Sequence, residues 1–84
     1  MKFIAEIDIM PLKELLDPQG KAVLSGFKHL HLDAISDARI GKHITLQLEA
    51  DDEATAQQMV ETACSKLLAN PVMEYYQYEV KADQ

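Results

Sequence analysis

The sequence predicts an α+β two-layer sandwich of ferredoxin-like shape, β-α-β-β-α-β, with an antiparallel sheet and two helices on one face. Three observations predict it. Residues 2–10, 34–40, 43–50 and 72–80 read as strands, most of them with side chains alternating at period two. Two stretches between them carry apolar residues at helical spacing. The alternation gives each strand one apolar face, so only one side of the sheet needs helices, joined by right-handed crossovers.

In the first strand, Phe3, Ala5, Ile7 and Ile9 point one way and Ile4, Glu6, Asp8 and Met10 the other, and Pro11 should end the ladder because it has no amide proton. Asp17-Pro18 opens the first helix: the Asp17 carboxylate caps free amides, and Pro18 at the first helical position loses nothing. Val23, Phe27 and Leu30 form its stripe, with Ala22 and Gly26 beside them, and the helix should end near Leu30-His31. Gly26, unfavourable in a helix interior by about 1 kcal/mol, is read as permitting close approach of helix to sheet.

Gly41-Lys42 sits between the second and third strands, where glycine at the first central position suits a type II′ hairpin. In the third strand Ile44, Leu46, Leu48 and Ala50 alternate with Thr45, Gln47 and Glu49. Asp51, Asp52 and Glu53 start the second helix, complementing its dipole, and Ala56, Met59, Val60, Ala63, Cys64, Leu67 and Leu68 form its stripe. Asn70 is expected to take a left-handed cap position before Pro71. The last strand alternates Tyr76, Tyr78 and Val80 against Tyr75, Gln77 and Glu79, and the polar tail 81–84 is expected to fray.

Eighty-four residues make one domain, 1–84, whose core is marginal unless something reinforces it. The one cysteine permits no internal disulfide, so oligomerisation is the expected reinforcement. Eight basic residues, scattered along the chain, face fourteen acidic ones, for a net charge of −6. That excludes the clustered basic patch a nucleic acid or anionic membrane needs. No apolar run is long enough to span a membrane, and no signal peptide is seen; with the lone thiol, these point to the cytoplasm.

Little in the sequence carries chemistry. His29 and His31, two apart on a helix, diverge and cannot share a metal unless the helix ends before His29. Cys64 falls in an apolar stripe and reads as a buried inert thiol. Gly20-Lys21 lacks the upstream glycine and following Ser or Thr of a phosphate loop. Glu6 and Asp8 share an outward face and read as solvated. No catalytic, cofactor or metal residues are expected. Arg39 and Lys42, two cations flanking a tight turn, suit either an exposed hairpin or a docking point, and among the three tyrosines of the last strand one facing outward would suit an interface. An interaction module is therefore favoured over an enzyme.

The motifs Leu16-Asp17-Pro18-Gln19-Gly20-Lys21-Ala22, Arg39-Ile40-Gly41-Lys42, Leu67-Leu68-Ala69-Asn70-Pro71-Val72 and Tyr76 to Val80 resemble the PurS family, the small subunits of phosphoribosylformylglycinamidine synthase. The resemblance covers nearly the whole chain. It implies purine biosynthesis: formylglycinamide ribonucleotide becomes formylglycinamidine ribonucleotide, with ATP and glutamine. It implies a glutaminase partner, PurQ, that releases ammonia, and a synthetase partner, PurL, that uses ATP and magnesium. The small subunit itself carries no chemistry; it pairs by its sheets, as a dimer or tetramer, and assembles the other two for ammonia transfer. The interface candidates it implies are Gln19, Lys21, Arg39, Gly41, Lys42 and Tyr76, and charge reversal at both Arg39 and Lys42 is expected to abolish assembly without harming the fold. It also implies a glycine where this chain has His31. The alternatives are a regulatory module binding a small ligand at a dimer interface, and a small enzyme.

Overall fold

In a computed structural model, which describes residues 1–83, three strands and two helices alternate along the chain. They are β1 (Lys2–Pro11), α1 (Pro18–His29), β2 (Lys42–Glu49), α2 (Glu53–Ala63) and β3 (Glu74–Ala82). The α+β class and antiparallel sheet are as the alternation predicts. The sheet order is β2-β1-β3, with β1 antiparallel to both neighbours. Ile7 stands opposite Ile44 on one side and Tyr78 on the other.

The predicted fourth strand at 34–40 does not form, so the order is β-α-β-α-β. Two of its backbone donors go to carboxylates and one to a turn instead of a neighbouring strand: the Ala38 amide donates to Asp37 at 2.9 Å, the Ile40 amide to Asp17 at 2.8 Å and the Ile35 amide to the Leu32 carbonyl at 3.1 Å. Gly41 consequently turns no hairpin, and no described glycine has positive φ. A Cβ at Gly41 would stand 2.4 Å from the Ile9 carbonyl oxygen and 2.2 Å from Met10 Sδ, so glycine is required by close approach to β1.

Phe3, Ala5, Ile7 and Ile9 are buried beneath Ala56 and Val60 of α2 and Cys64 just after it, which is how periods of two and of 3.6 meet in one core. Asp52 caps α2 by accepting from the Thr55 amide at 2.7 Å. The helix then widens into one π-helical turn, Cys64–Leu68, closed by the Ala69 amide on the Cys64 carbonyl at 3.0 Å. That turn keeps Cys64 and Ala69 in the core while Leu67 is outside. Asn70 is not left-handed; it anchors a turn instead, its side-chain oxygen accepting from the Val72 amide and its carbonyl from Met73 and Glu74. Lys81 and Ala82, expected to fray, pair with β1. The expectation for Gln84 lies outside the described residues.

α1 is the largest departure from the predicted sandwich. It makes no substantial packing contact with the sheet or α2, and Gly20 is its one buried residue. Gly26 faces open space, not the sheet. The chain measures 51 × 29 × 14 Å with a radius of gyration of 16.6 Å, against about 12 Å for a compact domain of this length. A ten-residue strand and a twelve-residue helix placed end to end span roughly 51 Å, so α1 extends past the sheet. It ends in a Schellman motif, with the Leu32 amide on the Phe27 carbonyl at 2.9 Å and the His31 amide on Lys28 at 3.1 Å. His31 takes the left-handed position at φ 61° where the family resemblance implied glycine.

Candidate functional site

One end of the sheet collects most of the residues singled out in the sequence. Asp17, 9 % exposed, organises it. Its carboxylate accepts from the Gly20 amide at 3.0 Å, closing the first turn of α1, and from the Ile40 amide. Those amides, Gly20 before Ile40, hold the Asp17 carboxyl below its usual range, and the Arg39 guanidinium 3.9 Å away adds to this. Arg39 in turn donates to the carbonyls of Leu12 at 2.6 Å and of Pro11 and Lys13 at 3.2 Å. Its guanidinium fork is therefore engaged within the chain, tying the β1–α1 connection to the strap before β2. This corrects the expectation that reversing the charge at Arg39 spares the fold.

Around this node lies an open cavity of about 300 Å³, bordered by Ile9, Leu16, Gln19, Gly41, Lys42 and Glu74. Gln19, Gly41 and Lys42 thus meet, although 22 residues separate Gln19 from Gly41. Lys42 reaches Glu74 at 4.0 Å, and its side chain is half-exposed. Lys21 is exposed on α1, away from the cavity lining. Tyr76 lies elsewhere, on the helix-bearing face, its hydroxyl donating to Glu61 of α2. Tyr78 donates to the other oxygen of the same carboxylate at 3.0 Å, and the two rings stack with centroids 6.3 Å apart. Hydrogen bonding to Glu61, with burial, pushes the Tyr76 phenol up to about 12. Tyr75 is the tyrosine on the helix-free face.

That helix-free face carries a cluster the sequence reading did not assemble. His43 sits between two carboxylates of β1, its Nδ1 2.7 Å from Asp8 and its Nε2 2.5 Å from Glu6, and the Thr45 hydroxyl donates to Glu6 at 3.0 Å. Asp8 and then Glu6 raise the His43 pKa, while His43 and then Thr45 lower that of Glu6. Glu6 and Asp8 do share an outward face, as the alternation predicts. Their partner was hidden because β2 pairs with β1 across 35 residues. Glu61 was missed too: a carboxylate beside an apolar stripe carries no signal of the tyrosines that will meet it.

Cys64 is fully buried, and burial with nearby Glu61 pushes its thiol up, which suits an inert packing residue. His29 bonds the Ser25 carbonyl at 3.0 Å within its own helix. Among the described residues no group of three His, Cys, Asp or Glu side chains is arranged to hold a metal, and no helix is long and apolar enough to cross a membrane. What this end of the molecule offers is a rigid polar rim around a shallow apolar floor, which suits contact with another protein better than bond-making.

Comparison with known proteins agrees with this geometry. Residues 4–82 match the family model PurS: Phosphoribosylformylglycinamidine (FGAM) synthase. The chain is 54 % identical, over 68 residues, to phosphoribosylformylglycinamidine synthase subunit PurS of Synechocystis sp., covering 81 % of this chain and 68 % of that one. Its fold is similar to PurS of Thermus thermophilus, with a TM-score of 0.88, 33 % identity and full coverage of both chains. It is equally similar to a chain in the structure of PurLQS from Thermotoga maritima, with a TM-score of 0.88, 30 % identity, and coverage of 96 % and 99 %.

Proposed function

Because the chain belongs to the PurS family of phosphoribosylformylglycinamidine synthase subunits, we propose that it is the small, non-catalytic subunit of that enzyme in purine biosynthesis. The likeness over nearly its whole length to a chain of the PurLQS structure carries this reading. Its partners are then the PurL synthetase, the PurQ glutaminase and a second copy of itself. ATP and magnesium act at the synthetase; this chain binds neither. It works in the cytoplasm, alongside those partners.

The physical case for such a subunit is simple. Ammonia released into neutral water is mostly protonated and no longer nucleophilic, so the two reaction centres gain from a fixed, enclosed relation. A rigid adaptor secures that relation without touching a reacting bond. Gln19, Lys21, Gly41, Lys42 and Tyr76 remain its contact candidates. Arg39 contributes by holding the strap that presents Gly41 and Lys42. The regulatory ligand-binding reading is not favoured, since the matches run to the synthase subunit.

The experiment is glutamine-dependent formation of formylglycinamidine ribonucleotide by purified synthetase plus glutaminase, with and without this chain. Activity that appears only on addition, from a chain inactive alone, is the expected result. Full glutamine-dependent activity without it would overturn the proposal. Charge reversal at Lys21 and Lys42, both exposed, then probes the contact surface.

A further inference from the structure

The geometry around His43 requires a charged ring. Both imidazole nitrogens have a carboxylate oxygen within hydrogen-bond distance, Nδ1 at 2.7 Å from Asp8 and Nε2 at 2.5 Å from Glu6. A neutral imidazole has one N–H and would turn a bare lone pair on one of those carboxylates; the imidazolium donates to both. His43 is therefore a bridge from β2 to two residues of β1 that one proton makes or breaks. The other charges near it are engaged or distant. Glu79 of β3 stands opposite Glu6 and is paired with Lys81 at 3.3 Å, Lys42 reaches to Glu74, and Glu49 faces Lys2 at the far end of the ladder. Gln77 of β3, opposite Asp8, is uncharged, and Tyr75 lies one row beyond it, opposite Met10.

The strand that this bridge holds is the least supported of the three within the chain. β2 is an edge strand with β1 as its neighbour, and α2 packs on β1 and β3 but not substantially on β2. Ile44, Leu46 and Leu48 are only half-buried, whereas β3, the other edge, sets Val80 in the core and hangs Tyr76 and Tyr78 on Glu61. Among the described residues the side chains of β2 make two further polar ties, the Thr45 hydroxyl on Glu6 at 3.0 Å and Lys42 to Glu74 at 4.0 Å. Segments with few buried apolar contacts and exposed backbone hydrogen bonds are the first to open.

We propose that His43 is a proton-operated latch on β2: the imidazolium between Glu6 and Asp8 holds the edge strand closed, and loss of its proton lets β2 open locally from β1 while the β1–β3 ladder stays paired. The direction follows from linkage. Asp8 and then Glu6 raise the His43 pKa in the closed strand, so the latch is fully set below pH 6.5 and is released as pH climbs through the raised value. Gly41 and Lys42 immediately precede His43, so the same proton sets how firmly that end of the strap is held to the sheet.

Native-state hydrogen exchange on the full chain, read amide by amide at pH 6 and pH 8 and corrected for the intrinsic exchange rate, follows the two ladders separately. The amides that bond β1 to β2 are expected to lose protection at least about threefold between pH 6 and pH 8, the scale of a half-exposed ion pair, while those that bond β1 to β3 hold nearly constant. In His43→Gln the β1–β2 amides should be as weakly protected at pH 6 as the parent's are at pH 8, with no step between. Asp8→Asn removes one end of the bridge and should shrink the parent's step. An equal loss in both ladders would show that His43 acts on global stability alone and would overturn the latch. So would a parent with no step, a step of full size in His43→Gln, or one left unchanged in Asp8→Asn.

Discussion

Gly41 is the position where a sequence motif and a packing requirement separate most cleanly, and Gly41→Ala tests which one governs it. An added Cβ would stand 2.4 Å from the Ile9 carbonyl oxygen, about 1 Å inside ordinary contact, and 2.2 Å from Met10 Sδ. The sulfur ends a flexible side chain and can swing away. The carbonyl belongs to the central strand, paired on both sides, and cannot move without disturbing two ladders. Overpacking against so fixed an obstacle costs typically 1–3 kcal/mol, and about 2 kcal/mol is expected here. For a chain of this length that lowers Tm by roughly 10 °C, out of a total stability on the order of 4–13 kcal/mol. The assay is thermal unfolding of the isolated chain at fixed concentration, since association would otherwise shift the midpoint. Met10→Ala placed on top of Gly41→Ala should recover only a small part of the loss. A Gly41→Ala chain as stable as the parent, or full rescue by Met10→Ala, would refute the assignment of the clash to the β1 backbone.

Other outcomes follow from the same structure. His31→Gly relieves a left-handed histidine and should stabilise the chain by about 1 kcal/mol, raising Tm by roughly 5 °C; no rise would show the Schellman turn to be unstrained. His43 has its pKa raised in the folded chain, so its contribution is fully present below pH 6.5 and fades as pH climbs through the raised value. The Tm difference between parent and His43→Gln should therefore be larger at pH 6 than at pH 8.5, where Glu6 and Asp8 lose the imidazolium charge between them, while the Glu79 opposite Glu6 keeps its own partner, Lys81. A difference independent of pH would show that His43 acts by packing alone. In Glu61→Gln, ultraviolet titration should find the Tyr76 phenol ionising well below its present value of about 12, because the neutral amide removes the charge that opposes ionisation; an unchanged midpoint would assign the shift to burial.

The sequence by itself determined every element whose cause is local. Alternation placed β1, β2 and β3 within a few residues and assigned Phe3, Ala5, Ile7 and Ile9 to the core, because side chains on a strand must alternate sides. Asp17-Pro18 and Asp52 marked both helix starts, since a cap acts on amides only two or three residues away. The family was legible in motifs spread along the chain, because linear order survives without coordinates.

The contacts that tertiary structure decided are the long-range ones. Residues 34–40 have an acceptable strand pattern, but Asp17, 23 residues away, takes the Ile40 amide, and the segment's own Arg39 ties it to the Leu12 carbonyl, 27 residues away. Arg39 was legible as an exposed cation and proved to be an internal tie. His43 found Glu6 and Asp8, and Tyr76 and Tyr78 found Glu61, only when the register of β1 and the seating of α2 were set. The placement of α1 shows the limit most plainly. Its apolar stripe states that the helix must be covered, but a stripe is scalar information along one axis. Whether the cover comes from the same chain depends on the direction in which the chain leaves β1, and here the Asp17 and Arg39 contacts at the end of the sheet accompany a helix that runs beyond it.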